Sequence, residues 1–326
     1  MAGGVDAELL EWGEKLFARK RPGGGSAGGG GGASWPRLWT PRAVRREIRL
    51  AVRQAPQVMV KVTGGGRGMR VIRAHLKYID REGGGLIDQD GFTHVGAAAR
   101  QELAKAWAVE GTPIPEHSDR REAFNIMWSM PAGIEAELVL AAVQKVARES
   151  FADHRYVMAL HSHQANPHVH LVVRAESDVS ARRLNPRKAD LHRWRTEFVD
   201  QLRALGIEAA ATRQVVRGVE RRDQPLWQQK ARGEGRLQGD MARPPREAVA
   251  RESRREALQA WHGLAAALVR SEDADDRELA KSIAAFVGRM PATKEQLAKA
   301  PRQVQHEVRQ KARREIAPPE RRGPER

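Results

Sequence analysis

Two apolar runs, HRYVMALH (154–161) and HVHLVVRA (168–175), are separated by only six residues, SHQANP. Both runs are rich in strand-forming residues. A parallel crossover needs a dozen or more residues, so the runs are predicted to pair as an antiparallel hairpin. This constraint sets the register of everything placed on the hairpin.

The neighbouring elements follow from pattern and punctuation. QVMVKV (57–62) reads as a strand ended by TGGGRG, a turn signal. MRVIRAHLKYIDREGGG reads as a helix, with Val71, Ile72, Leu76 and Ile79 at helical spacing. NIMWSM (125–130) is a strand closed by PAG, and IEAELVLAAVQKVARES is an amphipathic helix. Residues 185–206 read as a helix with Asn185 as N-cap, Pro186 at its first position and Gly206 as its stop. Strands alternate with helices, which predicts an α/β or α+β domain. Its core must be aliphatic, because aromatic residues are only 5% of the chain.

Three regions are expected. Residues 1–54 hold a short helix, with apolar Leu9, Leu10, Trp12 and Leu16, and the linker RPGGGSAGGGGGAS (21–34). Glycine loses too much backbone freedom for that linker to fold alone. Residues 55–220 hold the strands and helices above. Residues 221–326 begin as a loose segment and continue as basic helices, with a disordered tail APPERRGPER. The segment KEQLAKAPRQVQHEVRQKARREI alternates in charge, as solvated helices do.

The formal net charge is +16. Such a charge attracts polyanions, and nucleic acid is the commonest in a cell. If basic residues neutralise about five phosphates, log affinity should fall with log salt at a slope near −4 to −5. The chain has no cysteine, which excludes disulfides and thiolate metal sites. No apolar run is long enough to cross a membrane, and the N-terminus lacks the pattern of a secretory signal. A cytoplasmic protein with no membrane insertion is expected.

Four of eleven histidines lie in HSHQANPHVH (161–170). On a strand, His168 and His170 point to one face, while Val169 points to the other. The short loop folds His161 back beside His168. Three converging imidazoles suit a divalent ion such as Mn²⁺, Zn²⁺ or Ni²⁺, and suit the harder Mg²⁺ less well. Three protein ligands leave open positions, as catalytic metal sites do. The alternative is a polar strand face whose histidines are satisfied by hydrogen bonds. His163 is an extra ligand, a supporting group or an exposed residue.

Tyrosine occurs twice. Tyr156 falls in a strand and is expected in the core or in a hairpin contact. Tyr78 lies near the end of the first helix of the 55–220 region, among Arg73, Lys77 and Arg81. A phenol, with a pKa of about 10, is a weak nucleophile at neutral pH unless a cation stabilises the phenolate. Attack by tyrosine on a phosphodiester exchanges one diester for another, so the step is reversible.

These motifs together resemble the relaxase, or mobilisation nuclease, family of HUH endonucleases, in which two histidines flank a hydrophobic residue. HVHLVV is similar to the HUH strand, and HSHQANPHVH to the family's third motif. AHLKYIDREG resembles its tyrosine motif, and NIMWSMPAG and RRLNPRKADLHRWRTEFVDQLRALGIEAAAT resemble segments that commonly accompany them. The resemblance spans roughly residues 55–218 and implies an α+β fold, an antiparallel sheet flanked by helices with the HUH strand central, plus a helical C-terminal extension. It implies that Tyr78 is the nucleophile and that His161, His168 and His170 hold the metal. The expected cofactor is Mg²⁺ or Mn²⁺, with Zn²⁺ or Ni²⁺ as alternatives. It also implies nicking of single-stranded DNA at a transfer origin, covalent attachment to the 5′ end, and partnership with accessory relaxosome proteins and a type IV secretion coupling protein in a bacterial cytoplasm.

The sequence departs from the family at His163, which stands where an acidic residue is usual. The family's second-motif serine, which contacts DNA, is not assigned to a residue, and Ser129 reads as structural. No G-x-x-x-x-G-K-[ST] motif is present, so any unwinding falls to another protein. GGGRGMR either holds a phosphate on backbone N–H groups, with Arg67 and Arg70 adding charge, or is a simple turn. Arg213 and Arg217 either contact the DNA backbone or are solvated. Three rival functions remain: a rolling-circle replication initiator, a non-catalytic DNA-binding protein on the same fold, and a metal-dependent hydrolase that uses water.

Overall fold

The computed structural model describes residues 2–17, 40–180, 182–218, 233, 235 and 247–290. They fall into two compact units, Ala55–Ala211 and a second made of residues up to Gln54 with those from Thr212 onward.

The chain opens with α1 (Ala2–Phe17) and α2 (Pro41–Val52). The sheet unit then runs β1 (Met59–Gly66), α3 (Met69–Ile79), β2 (Leu86–Asp88), β3 (Thr93–His94), α4 (Gly96–Val109), β4 (Ala123–Ser129), α5 (Ala136–Ser150), β5 (Tyr156–His161), β6 (His168–Arg174) and α6 (Lys188–Ala204). Helices α7 (Glu247–Val269) and α8 (Ala274–Gly288) follow. The six strands form one sheet in the order β1-β4-β6-β5-β2-β3, and every pairing is antiparallel. This is the expected α+β architecture, with the HUH strand β6 inside the sheet.

Strand alternation divides the core in two. Trp128, Tyr156, Met158, Val169, Leu171 and Val173 face α5 and α6, where Trp194, Phe198 and Leu202 meet them. Val157, Ala159 and Val172 face the other way, toward Met69, Ile72, Leu76 and Ile79 of α3 and Trp107 of α4. Burying each aliphatic side chain contributes about 1.5–3 kcal/mol. Both faces are covered, which explains why β6 is buried along its whole length.

Several local expectations change. The glycines after QVMVKV continue β1 rather than ending it: Gly64, Gly65 and Gly66 pair with Asn125, Phe124 and Ala123, after an irregularity between Val62 and Gly64. Gly65 and Gly66 are required by close approach. A Cβ on Gly66 would come within 2.3 Å of Ile72 Cγ1, and one on Gly65 within 2.4 Å of the Ala123 carbonyl oxygen. Val71 is an exposed residue of α3; the buried stripe is Met69, Ile72, Leu76 and Ile79. The helix expected from Asn185 begins at Lys188, with Arg187 as N-cap. There Asp190 accepts the Arg187 N–H at 2.9 Å, which satisfies a group that Asn185 cannot reach. Its end is as expected. Gly206 has φ +84, and the N–H groups of Gly206 and Ile207 donate back to Arg203 and Leu202. β2, β3 and α4 were not foreseen.

The second unit joins segments expected to be separate. Leu9, Leu16, Val44 and Ile48 share one core with Trp261, Leu264, Ile283 and Phe286. Arg45 ties it together by donating to Asp6 and Asp276. Residues 212–218 lie with this core and not with the sheet unit: Val216 is buried in it, and its carbonyl accepts from Trp261 Nε1 at 2.8 Å. The glycine linker, the 294–316 segment and the tail lie outside the described residues, as does nearly all of the loose segment that opens the C-terminal region.

Candidate metal centre and nucleophile

The hairpin register builds the site. His161 pairs with His168, and His168 pairs on its other side with Ser129. His170 lies between Ala159 and Met127. His161, His168 and His170 therefore share the α3 side of the sheet. Their ring centroids are 4.7–5.1 Å apart, and one nitrogen from each lies within 4.8 Å of the others. His161 is fully buried, and His168 and His170 are 7% and 9% exposed. The opposite neighbour of His170 is an alanine, which leaves the imidazoles room to converge.

Hydrogen bonds orient two of the rings. His161 Nε2 donates to the Ile79 carbonyl at 2.7 Å, at the C-terminal end of α3. His168 Nδ1 donates to the Asn166 carbonyl at 3.0 Å. Each bond fixes a tautomer and leaves the second nitrogen with its lone pair, which is how metal-bound histidines are commonly held. His161 Nδ1 is buried and has no hydrogen-bond partner. An orphaned buried acceptor costs about 1–3 kcal/mol, and a cation would satisfy it. Burial, with the neighbouring imidazoles, pushes His170 down to about 3. Burial also lowers His168. Neutral imidazoles are the form that binds metal. The residues present fit a divalent ion.

Tyr78 stands beside this cluster, on α3. Its ring centroid is 6.2 Å from that of His170, edge to face, and the residue is 49% exposed. His75, one turn earlier, stacks on it at 5.8 Å. Burial keeps His75 below its usual range, and its Nε2 is buried without a partner. The Arg81 guanidinium lies 4.7 Å from the Tyr78 ring centroid. It places positive charge where a phenolate would develop.

Tyr156, by contrast, is buried in the core. Ser129 is buried and donates to the Met130 carbonyl. His163 is 45% exposed at its side chain and pairs with Glu82 at 2.6 Å. Arg67 and Arg70 are exposed at the turn into α3. Of the two readings of this turn, the phosphate cradle lacks the Met69 and Arg70 N–H groups, which donate to the Pro115 and Glu116 carbonyls. Arg213 and Arg217 belong to the other unit, where Arg213 Nη2 donates to the Leu16 carbonyl at 2.7 Å. Sequence reasoning missed His75 and Glu82. His75 lies three residues before Tyr78 on α3, a helical spacing that brings their two rings together.

Residues 88–205, from β2 through α6, match the family model described as Relaxase: MobA/VirD2-like, nuclease domain. This segment, about a third of the chain, is thus similar to a relaxase nuclease domain. The matched segment holds His161, His168 and His170, and Tyr78 precedes it. No curated protein matches the chain.

Proposed function

We propose that the protein is a site- and strand-specific relaxase that nicks a transfer origin by tyrosine transesterification. It stays linked to the 5′ end and initiates conjugative mobilisation. The observation that carries this reading is the placement of Tyr78 against His170 at the rim of a buried three-histidine cluster. In the reaction, Tyr78 Oη bonds to the scissile phosphorus as the P–O3′ bond breaks. The 3′ oxygen leaves with the proton that the phenol gives up, so atoms and charge balance. His161, His168 and His170 would hold the divalent ion, Mg²⁺ or Mn²⁺ first and Zn²⁺ or Ni²⁺ otherwise, which polarises the phosphate and offsets its charge. His75 and Arg81 hold the phenol ring in place. Arg67 and Arg70 add positive surface for the strand. Accessory relaxosome proteins and a secretion coupling protein would act with it in the bacterial cytoplasm.

The test is a covalent-adduct assay. Single-stranded fragments tiling the DNA around the protein's own gene are incubated with protein and Mn²⁺ or Mg²⁺, then resolved on a denaturing gel. A metal-dependent protein–DNA band that vanishes in Tyr78→Phe is expected. Cleavage without linked protein would mean that water is the nucleophile. Tight binding without cleavage would favour a non-catalytic protein.

A further inference from the structure

Helix α2 carries more positive charge than its fold requires. Arg42, Arg46, Arg49 and Arg53 recur at intervals of four, three and four residues, and all four are exposed. At about 3.6 residues per turn this spacing sets them in one row along the helix. Arg53, the C-cap, has φ −76 and ψ −3, so it continues the row beyond Val52. The row is about 16 Å long, at about 1.5 Å per residue.

The opposite side fixes the helix in place. Val44, Ile48 and Ala51 are buried in the helical core, and Arg45 donates to Asp6 and Asp276. The row takes no part in this. Arg42, Arg49 and Arg53 form no ion pair among the described residues, and Arg46 lies 3.8 Å from Glu47. Asp275 and Glu278 of α8 line a groove beside Arg49 and Arg53. Both carboxylates have other work: Glu278 pairs with Lys281, and Asp275 stands in the first turn of α8, where the helix dipole favours an acid. Folding alone disfavours such a row. Like charges three and four residues apart on a helix repel. The first turn of α2 has no acidic residue and instead holds Arg42, where the dipole opposes a cation.

Three features choose a ligand for these charges. Duplex DNA carries one phosphate charge per about 1.7 Å of axis, so the row runs beside roughly nine of them. Helix α2 has no aromatic residue, whereas single-strand surfaces stack bases on aromatic rings. Its apolar side is buried, whereas a helix lying on a membrane needs that side free. We infer that the α2 row is a docking surface for the phosphate backbone of duplex DNA, which it holds without reading sequence. The row lies outside the matched segment 88–205 and outside the unit that carries Tyr78. Under the nicking reading proposed above it would retain the protein on a duplex, but the binding stands without that reading.

Fluorescence anisotropy of the full-length protein tests this, with a labelled duplex of arbitrary sequence and with one of its strands alone, over a series of KCl concentrations. The variant carries Arg42→Gln, Arg46→Gln, Arg49→Gln and Arg53→Gln together. All four side chains are exposed, so it should fold, which circular dichroism verifies. Four fewer neutralised phosphates should flatten the slope of log affinity against log salt by about 3.6 on the duplex. Raising the salt from about 50 to 200 mM should then weaken wild type roughly 150-fold more than the variant. Lysine at the same four positions keeps the charges and should restore the slope. Arg42→Gln with Arg46→Gln alone should give about half the change in slope. Affinity for the single strand should be preserved. An unchanged duplex slope in the fourfold variant overturns the proposal. An equal loss on the single strand does so too, because the row would then be a general nucleic-acid surface. If wild type but not the variant sediments with phosphatidylserine vesicles while both bind duplex alike, the row meets an anionic membrane and the proposal falls.

Discussion

Adding Mn²⁺ to metal-free protein should raise the melting temperature of the sheet unit, and His170→Ala should remove that rise. The size follows from mass action. An ion that binds only the folded state contributes about 2.7 kcal/mol at a concentration one hundred times its dissociation constant. The sheet unit, Ala55–Ala211, has roughly 150 residues, a size for which each kcal/mol moves the midpoint by about 2–4 °C. The expected rise is therefore about 5–10 °C. It should approach its full size at neutral pH, because His170 is held neutral and needs to lose no proton to bind. The assay is scanning calorimetry of the full chain, with Trp128→Ala marking the sheet-unit transition. That variant removes a ring buried against Trp194 and Phe198 and should cost about 3–5 kcal/mol. Curves that coincide within a degree, with and without millimolar Mn²⁺, would refute the reasoning. The imidazoles would then be a polar strand face held by their own hydrogen bonds.

Gly66→Ala should destabilise the sheet unit by about 1–3 kcal/mol in denaturant melts, because its Cβ would press on Ile72 at 2.3 Å. Asp276→Asn should cost the helical unit about 2–3 kcal/mol, since Arg45 loses its buried bidentate partner. Arg45 and Ser271 hold the Asp276 carboxyl below its ordinary value. The stabilisation it gives is present above the ordinary carboxylate range and is lost as pH falls through the lowered value, so the variant should lose stability less steeply in acid. Tyr78→Phe should keep both the Mn²⁺ melting shift and single-stranded DNA binding while losing the covalent adduct. Binding by either form should weaken with salt at a slope near −4 to −5 if about five phosphates are neutralised.

The hairpin was legible because its six-residue loop leaves one topology, and strand alternation then places His168 and His170 together. The glycine run was misread because a turn and a crowded strand use glycine for different reasons. Freedom at φ shows in local sequence, whereas the approach of Ile72 or Ala123 is a tertiary fact. β2 and β3 have only three and two residues, too short for a period to register. Helix α4 is weakly amphipathic, with just Leu103, Ala104 and Trp107 buried. The joining of α1 and α2 with α7 and α8 depends on pairing between distant segments, which composition does not reveal. Glu82 was missed because its partner, His161, is 79 positions away along the chain.

Helix α3 links the proposed nucleophile to the proposed metal cluster. Its buried stripe, Met69, Ile72, Leu76 and Ile79, seats it on the same sheet face as the histidines. Its last residue then offers the Ile79 carbonyl to His161, and its penultimate residue is Tyr78. Four residues on, Glu82 reaches His161 and His163. A shift of α3 by one turn, about 5.4 Å, would carry away the tyrosine, the bond that orients His161 and the carboxylate together. A cavity under α3, as in Leu76→Ala, should therefore weaken Mn²⁺ binding and adduct formation in parallel, although Leu76 touches neither ion nor DNA. Its stability cost should be about 2–5 kcal/mol. Paired titrations and adduct assays on folded Leu76→Ala test the coupling. Loss of one activity with full retention of the other would show that α3 does not set both.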